Sequence, residues 1–342
     1  MKKRKFIPYS ILITFIFIVT IFAGCAEKKD ANKDVVTVRL NEVTRSVFYA
    51  PMYAAMSQGF FAEEGLKVDL TTGEGADKTM QQVLSKSADI GFCGPEQVIY
   101  INNQNRDDYP ILFAQLTQTD GSFLVGRHEE KEFKWESLKG KTVIGGRPGG
   151  MPEMTFEYVL KKHNLTPGKD INIITNIAFS AVTGAFKGGT GDYATIFEPN
   201  ASMLTKVNAG YVVASVGEEA GTIPYTCFFS TKSYMDKNPQ VIEKFTRAIY
   251  KGQLWVQKHS DEEVAKSIKS FFPGTDEDLI KSVIANYRQI NAYASTPILK
   301  EEDLSRLMDI IQSYKSDLIP QRPAFNKIVN NTFGEKAIKE IK

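Results

Sequence analysis

Short apolar runs alternate with amphipathic stretches over residues 36–222, and this pattern predicts alternating strands and helices. Proline and glycine mark the limits of one predicted helix, which begins near Pro51 and ends near Gly59. Such alternation is typical of an α/β protein in which helices cover the faces of parallel sheets. The first series comprises strands at 36–41, 67–72, 89–93, 111–117 and 122–127, and further helices at 76–86 and 96–104.

A second series of the same kind begins at residue 141, and the pattern becomes mainly helical beyond residue 231. Three helix starts are predicted in the helical part: Asn238 before Pro239, a capping box of Ser260 and Glu263, and Thr275. The second series comprises strands at 141–146, 171–177, 191–199, 211–217 and 225–231 and helices at 151–165 and 181–188, and a late helix is predicted at 301–314.

Two α/β lobes account for this order of elements. Strands near 122–127 and 225–230 would cross between the lobes and act as the hinge. Ligands bind outside the carboxyl ends of the strands in open α/β sheets, so two facing lobes predict an interlobe cleft. The predicted boundaries are 36–124 for the first lobe, 125–224 for the second, 225–320 for a mostly helical return to the first, and 321–342 for a tail.

Residues 1–24 have the composition of an export signal. Lys2 to Lys5 form a basic start, residues 11–23 are almost wholly apolar, and a glycine precedes Cys25. This ending resembles a bacterial lipobox, so we expect cleavage before Cys25 and lipidation of its thiol. Residues 25–35 would then tether the protein to the extracytoplasmic face of the cell membrane. The alternative is an uncleaved membrane anchor.

The charge balance argues against a nucleic-acid partner. The formal charge is +2, and removal of the leader, which holds four cations and no acids, makes it −2. Outside the cytoplasm Cys93 and Cys227 could pair, and the alternative is that both are buried free thiols. The sequence has no CxxC motif and no His/Cys cluster at ligand spacing, so we expect neither a metal nor another cofactor.

Four stretches, in sequence order, resemble one known family: YAPMYAAMSQGFFAEEGLKVDL, SADIGF, LKGKTVIGG and GDYATIFEP. They are similar to the ABC-importer solute-binding proteins that take up nitrate, sulfonates, taurine and thiamine-pyrimidine precursors. The resemblance implies a two-lobe, type-2 periplasmic-binding fold without an ATP site. It also implies that the protein closes its lobes on a small solute and presents it to an ABC permease, which a cytoplasmic ATPase drives. We expect a monomer.

Candidate ligand contacts lie in the loops that follow the strands. Phe48 and Tyr49 stand where the family has a ligand-facing residue, although core packing would also explain two aromatic residues here. Glu198, before Pro199, matches a family position at the cleft, so its removal should weaken binding without loss of stability. The full set of candidates is Phe48, Tyr49, Glu74, Gly75, Gly94, Glu96, Arg147, Gly149, Gly150, Glu198 and Tyr225.

Several of these candidates have a structural alternative. Glu74 and Gly75 precede a helix, where backbone N–H groups bind a solute or belong to an ordinary capped turn. Glu96, after Gly94, also fits a first-turn acid that stabilises its helix. Tyr225 also fits a packing residue at the hinge.

The stretch GGRPGGMPE at 145–153 looks like a phosphate-binding loop but lacks the residues that such a loop requires. Met151 and Pro152 stand where a Walker loop has lysine and serine or threonine, and Arg147 replaces the second glycine of a dinucleotide fingerprint. We therefore interpret it as a strand-to-helix loop whose glycines let backbone N–H groups approach a solute, with Arg147 beside them.

The charges in these loops favour a neutral or cationic heterocycle over an anion, because carboxylates accept hydrogen bonds from ring amines. A thiamine-pyrimidine precursor is the favoured solute, and sulfonate, taurine or nitrate is the alternative. Against the cations Arg147 and Arg45 stand the acids Glu74, Asp77, Glu96, Glu153 and Glu198.

Two other function classes are considered. A sensory lipoprotein could use the same fold. Fungal thiamine-pyrimidine synthases share the fold, but they use a lysine-bound pyridoxal phosphate and a cysteine-rich motif that this sequence lacks. GxSxG and HExxH motifs are also missing from the sequence, so we do not expect an enzyme.

Overall fold

Two five-stranded sheets organise residues 35–341, which are the residues that the computed structural model describes. The predictions for the export signal and for Cys25 lie outside the described residues. The strands are β1 (Val36–Glu42), β2 (Leu66–Thr72), β3 (Ile90–Cys93), β4 (Pro110–Thr117), β5 (Ser122–Gly126), β6 (Thr142–Ile144), β7 (Asn172–Ile174), β8 (Tyr193–Phe197), β9 (Tyr211–Ser215) and β10 (Thr226–Thr231). Sheet A has the order β2-β1-β3-β10-β4, and sheet B has the order β7-β6-β8-β5-β9.

Helices pack around both sheets, and none within residues 35–341 is both long enough and apolar enough to cross a membrane. They are α1 (Ala50–Ser57), α2 (Phe60–Glu63), α3 (Ala76–Leu84), α4 (Glu96–Asn102), α5 (Met151–Lys162), α6 (Val182–Lys187), α7 (Asn200–Lys206), α8 (Val216–Ala220), α9 (Lys232–Lys237), α10 (Pro239–Lys258), α11 (Asp261–Ile268), α12 (Glu277–Gln289), α13 (Glu301–Tyr314), α14 (Phe325–Ile328) and α15 (Thr332–Glu340).

Both sheets are mixed, whereas the sequence pattern predicts parallel ones. Strands β1, β2 and β3 run parallel, as do β6, β7 and β8. Strand β10 runs antiparallel to β3 and β4, and β5 runs antiparallel to β8 and β9. These two strands are the ones that follow a crossing between the sheets. The parallel strands of each sheet run toward the cleft. A strand that follows a crossing starts at the cleft and runs away from it, so it is antiparallel to them.

The sheets define two lobes with limits that differ from the predicted ones. Lobe I comprises residues 35–117 and 226–341, and lobe II comprises residues 122–220. Segments 118–121 and 221–225 join them. The predicted boundary at 124/125 falls inside β5, which pairs with β8 and β9 along its whole length. The stretch predicted as a tail holds α14 and α15, which pack on β4 and α10.

The helical part confirms two predicted helix starts and corrects one. Ser260 and Glu263 form the expected capping box of α11. Asn238 is the N-cap position of α10 and Pro239 is its first residue, as predicted, although the Asn238 side-chain amide donates to a carbonyl of α9 and does not cap α10. Asp276, and not Thr275, caps α12 with its carboxylate.

The two cysteines of the described chain are buried and unbonded. Cys93 on β3 and Cys227 on β10 face each other as cross-strand partners. Burial raises the pKa of both thiols well above the usual range, so neither forms the reactive thiolate readily. Of the two alternatives from the sequence, the structure has the buried free thiols.

Candidate ligand-binding site

The two lobes touch along their boundary, so the structure is a closed form. The Tyr100 hydroxyl of lobe I donates to the Gly149 carbonyl of lobe II at 2.9 Å. Elsewhere along the boundary, the Asn286 amide on α12 donates to the Glu198 carboxylate of lobe II at 2.7 Å. Side chains between these contacts are shielded from water, which strengthens their electrostatic interactions.

Glu96 is a buried carboxylate at this boundary and is 1% exposed. Its Oε1 accepts from Gln97 Nε2 at 3.2 Å, and its Oε2 has no hydrogen-bond partner among residues 35–341. Burial raises the pKa of this carboxyl to about 7, and the positive charge of Arg147 opposes the shift. Glu96 is therefore a buried acceptor with one open oxygen, and it also stands in the first turn of α4, as the structural alternative has it.

Gly94 makes room for this carboxylate. A Cβ atom at Gly94 would collide with the Glu96 carboxylate and would lie 2.9 Å from the Met151 side chain of lobe II. Glycine is needed here because the Glu96 carboxylate and the Met151 side chain of lobe II both pack directly against this residue. Its role in the structure is to provide space rather than to supply a side-chain contact.

Phe48 and Tyr49 belong to an aromatic cluster on the lobe I side, and both are buried. The Phe48 ring lies 4.7 Å from the Tyr287 ring and 5.7 Å from the Tyr225 ring, centroid to centroid. Tyr49 lies near Glu96. The structure therefore shows the core packing, and contact with a solute stays a prediction for these rings, which border the lobe boundary.

A second buried carboxylate lies at the hinge, and the sequence analysis missed it. Asp120, in segment 118–121, is fully buried, and its Oδ1 accepts from Ser122 N at 2.7 Å and from Ser122 Oγ at 2.5 Å. The hydroxyls of Tyr225 and Thr155 lie beside this carboxylate and form hydrogen bonds to it, so the three buried groups satisfy one another. Burial raises the pKa of Asp120 to about 6, and these hydrogen bonds oppose the rise.

The glycine-rich loop before α5 binds a residue of its own lobe. Gly146 N donates to Glu153 Oε2 at 2.6 Å, and Gly150 N donates to the Arg147 carbonyl at 3.0 Å. A Cβ atom at Gly145 would collide with the same Glu153 carboxylate. The prediction that these glycines offer N–H groups to a solute is therefore wrong for Gly146 and Gly150, because an internal acid and a turn already use them.

Three other predicted contacts lie in more exposed places. Arg147 has a side chain that is 49% exposed, and its Nε lies 3.7 Å from Asp77 of lobe I. Glu74 is exposed, in a left-handed conformation with φ of 56°. Gly75 N donates to the Val43 carbonyl at 3.0 Å. Of the three, Arg147 reaches across the lobe boundary, and there it meets an acid.

Glu198 is buried as a strand-end acid, but protein groups occupy both of its oxygens. Ser202 donates from its N at 2.9 Å and from its Oγ at 2.7 Å, and Asn286 donates from α12. Glu198 N also donates to the Tyr287 hydroxyl at 3.2 Å. The carboxylate thus caps α7 and joins lobe II to lobe I, which differs from the expectation that its removal leaves stability unchanged.

The acids at the boundary do not form a metal centre. Over the range 35–341, no group of three or more His, Cys, Asp or Glu side chains is placed to hold a metal ion. Within that range, Glu96 instead has a protein donor on one oxygen only, whereas Asp120 has Ser122, Tyr225 and Thr155 as donors around its carboxylate.

Glu153 should make the stability of the protein depend on pH. Burial, together with Glu157 one turn away, raises the pKa of this carboxyl from 4.5 to about 8. The folded state therefore prefers the protonated form, so this contribution to stability is complete below about pH 4.5 and is lost as the pH rises toward 8. We expect Glu153→Gln to remove about 2 kcal/mol of the fall in unfolding free energy between pH 5 and 8.

Urea unfolding of the wild type and of Glu153→Gln at pH 5, 6.5 and 8 measures this effect. Glu301→Gln, at an exposed first-turn acid of α13, is the matched control and should keep the wild-type slope. A wild-type slope in Glu153→Gln would show that this carboxyl titrates as an ordinary exposed acid.

A solved structure with this fold and a relative of similar sequence are both named as binding proteins. The solved structure of the alkanesulfonate-binding protein SsuA from Xanthomonas axonopodis pv. citri, bound to MOPS, superposes with a TM-score of 0.70 at 15% identity, over 87% of this chain and 99% of that one. The formylaminopyrimidine-binding protein of Halalkalibacterium halodurans is 24% identical over 272 residues, 77% of either chain. Two mixed sheets joined by two crossings are thus the fold of the ABC-type solute-binding proteins.

Closer similarity gives the family. Residues 47–263 match the family described as NMT1/THI5 like. The putative binding protein YtlA of Bacillus subtilis (strain 168) is 46% identical over 325 residues, which cover 95% of this chain and 96% of that protein. This chain belongs to the NMT1/THI5-like family.

Proposed function

We propose that this protein is the solute-binding component of an ABC importer and that it captures a small nitrogen heterocycle between its lobes. The observation that carries the ligand class is the buried Glu96 carboxylate, whose Oε2 lacks a donor within residues 35–341. A buried acceptor without a partner costs about 1–3 kcal/mol. An amino N–H of a solute would supply the missing donor. The name of the formylaminopyrimidine-binding relative supports a thiamine-pyrimidine-like solute.

An anionic solute fits this boundary less well. Sulfonate and nitrate need converging cations and N–H donors. Arg147 is the cation near Glu96, but its side chain is half exposed and faces Asp77. The N–H groups of Gly146 and Gly150 are already engaged inside their loop. An anion would therefore meet an unpaired carboxyl and few free donors.

The sequence supports further proposals about location and partners. We infer that Cys25 is lipidated and that the monomeric protein works on the extracytoplasmic face of the membrane. Tethering raises the effective concentration of the protein beside its permease, which favours delivery of the solute without a tight complex. The permease would pass the solute inward at the expense of ATP hydrolysed by a cytoplasmic ATPase.

We propose binding without catalysis. Two observations support this: the 46% identical relative is named a binding protein, and two histidines are engaged away from the lobe boundary. His163 lies between Glu136 and Glu219 within lobe II, and His259 stacks on Trp255 with ring centroids 4.0 Å apart. Incubation with a bound heterocycle should therefore return it chemically unchanged.

A thermal-shift screen of the full-length protein, purified in detergent, tests the proposal. The panel contains 4-amino-5-hydroxymethyl-2-methylpyrimidine, its 5-aminomethyl analogue, taurine, an alkanesulfonate and nitrate. We expect the two pyrimidines to raise the Tm, because a ligand at a hundredfold excess over its Kd stabilises the folded state by about 2.7 kcal/mol. A shift with sulfonate or nitrate alone would overturn the heterocycle proposal in favour of the anion alternative.

A further inference from the structure

The glycine-rich loop of lobe II presents its backbone to two tyrosines of lobe I. Gly149 is buried in this loop, between β6 and α5. Its carbonyl accepts from the hydroxyl of Tyr100, on α4, at 2.9 Å. Its N–H donates to the hydroxyl of Tyr314, the last residue of α13. Burial and the nearby acids Glu157 and Glu153 raise the pKa of Tyr314, and the bond from Gly149 opposes the rise. Both polar backbone groups of one residue therefore meet lobe I.

Glycine suits this position for two reasons. Its φ of 71° is in the left-handed region, which is unfavourable for residues that carry a side chain. A Cβ atom at Gly149 would also point at lobe I, 3.8 Å from Leu318 Cδ1 and 4.0 Å from the Tyr100 hydroxyl. The lack of a side chain lets the backbone of lobe II itself make the contact between the lobes.

Helices on both sides hold this contact in place. Helix α5, which follows the loop, packs on α13 of lobe I, and Lys161 near its end donates to the Ser313 carbonyl. The Tyr100 hydroxyl also lies 3.3 Å from Met154 Sδ on α5. The loop and the two tyrosines therefore belong to one packed surface between the lobes.

The other contact between the lobes at this loop is weaker. Arg147 Nε and Asp77 Oδ1 lie 3.7 Å apart, and both side chains are about half exposed. Ion pairs that face water contribute little, because solvent screens the charges and the side chains lose freedom. The hydrogen bonds of the buried Gly149 are shielded from water, so they hold the loop to lobe I more strongly than the ion pair does.

We propose that Tyr100 and Tyr314 are positioning residues that hold Gly149 in an interlobe clasp and stabilise the closed form without touching the solute. The two hydroxyls and Gly149 lie on different lobes, so opening breaks both bonds. A contact made only in the closed form shifts the equilibrium toward that form and slows the release of any enclosed solute by the same factor. This inference rests on the proposed function, because it assumes that the lobes part to release a solute.

Tyr100→Phe and Tyr314→Phe test the clasp, because each removes one hydroxyl and keeps the ring. The matched control is Tyr193→Phe. The Tyr193 hydroxyl donates to Glu130 Oε1 at 2.7 Å, and both residues belong to lobe II. The control therefore loses a tyrosine hydrogen bond of the same kind that does not cross the lobe boundary.

Stopped-flow fluorescence of the full-length protein in detergent gives the readout, with 4-amino-5-hydroxymethyl-2-methylpyrimidine and its 5-aminomethyl analogue as solutes. We expect each of the two variants to raise koff about fivefold, as for the loss of one hydrogen bond, and to leave kon unchanged. The factor should be the same for both solutes, and Tyr193→Phe should keep the wild-type koff. An unchanged koff in both variants would overturn the clasp. Unequal factors for the two solutes would also overturn it, since they would show direct contact with the solute.

Solution scattering of the ligand-free protein separates this inference from the proposed function. The double variant, with Tyr100→Phe and Tyr314→Phe together, should have a larger radius of gyration than the wild type or Tyr193→Phe. If the wild type binds neither pyrimidine and the double variant still opens, the heterocycle proposal is wrong and the clasp stands. If the wild type binds a pyrimidine and the double variant neither opens nor releases it faster, the clasp is wrong and the function stands.

Discussion

Glu96→Gln is expected to weaken the binding of an aminopyrimidine about a hundredfold and to raise the stability of the ligand-free protein at pH 8. A hydrogen bond to a charged group contributes about 1.5–3 kcal/mol. The glutamine side chain of the variant would present to the solute either a donor or a neutral acceptor in place of the charged Oε2, so this contribution is lost. Because burial raises the pKa of Glu96 to about 7, the wild-type carboxyl is ionised at pH 8 with a donor on Oε1 only and none on Oε2 in the described part of the chain. The substitution removes this penalty, which is on the order of 1–2 kcal/mol.

The two effects point in opposite directions, which makes the experiment decisive. Calorimetric titration at pH 8 gives the affinity, and urea unfolding at pH 6 and 8 gives the stability. Glu301→Gln replaces an exposed first-turn acid and should change neither quantity. A Glu96→Gln protein that binds as tightly as the wild type would remove Glu96 from the site, and one that is less stable would make it a structural acid.

Local sequence signals predicted the elements of the fold well. The run of Val36 to Leu40 and the capping box at Ser260 depend on neighbouring residues, so they could be read correctly without the rest of the chain. The reversal of β5 and β10 could not, because strand direction depends on the side from which the chain enters a sheet. Where two capping residues are adjacent, as in Thr275 and Asp276, the pattern gave the position only to within one residue.

The site was harder to predict because its chemistry depends on residues that are distant in the chain. Glu96 and Glu198 look alike in the sequence, since each adjoins a proline at a strand end. Only the fold shows that Asn286 reaches Glu198 while nothing in residues 35–341 reaches Glu96 Oε2. The sequence around Asp120 indicates only a turn. Its neighbour in the fold, Tyr225, is distant in the chain and is brought beside it by the second crossing segment.

Glu198→Ala is expected to lower the free energy of unfolding by about 3 kcal/mol. The carboxylate accepts three hydrogen bonds in a buried place, two from Ser202 and one from Asn286. Its loss leaves the first turn of α7 without its side-chain cap and leaves the Asn286 amide without its partner across the lobe boundary. Urea unfolding measures the effect, and Glu301→Gln serves again as the surface control.

Asn286→Ala separates the two contributions of Glu198, because it removes the bond between the lobes and keeps the cap on α7. We expect it to cost about 1 kcal/mol of stability and to shift the ligand-free protein toward an open form with a larger radius of gyration in solution scattering. Saturating ligand should restore the closed radius, because a solute that contacts both lobes binds the closed form more tightly. If Glu198→Ala were as stable as the wild type and equally compact, its carboxylate would not hold the lobes together, and the remaining explanation for its burial would be direct contact with the solute.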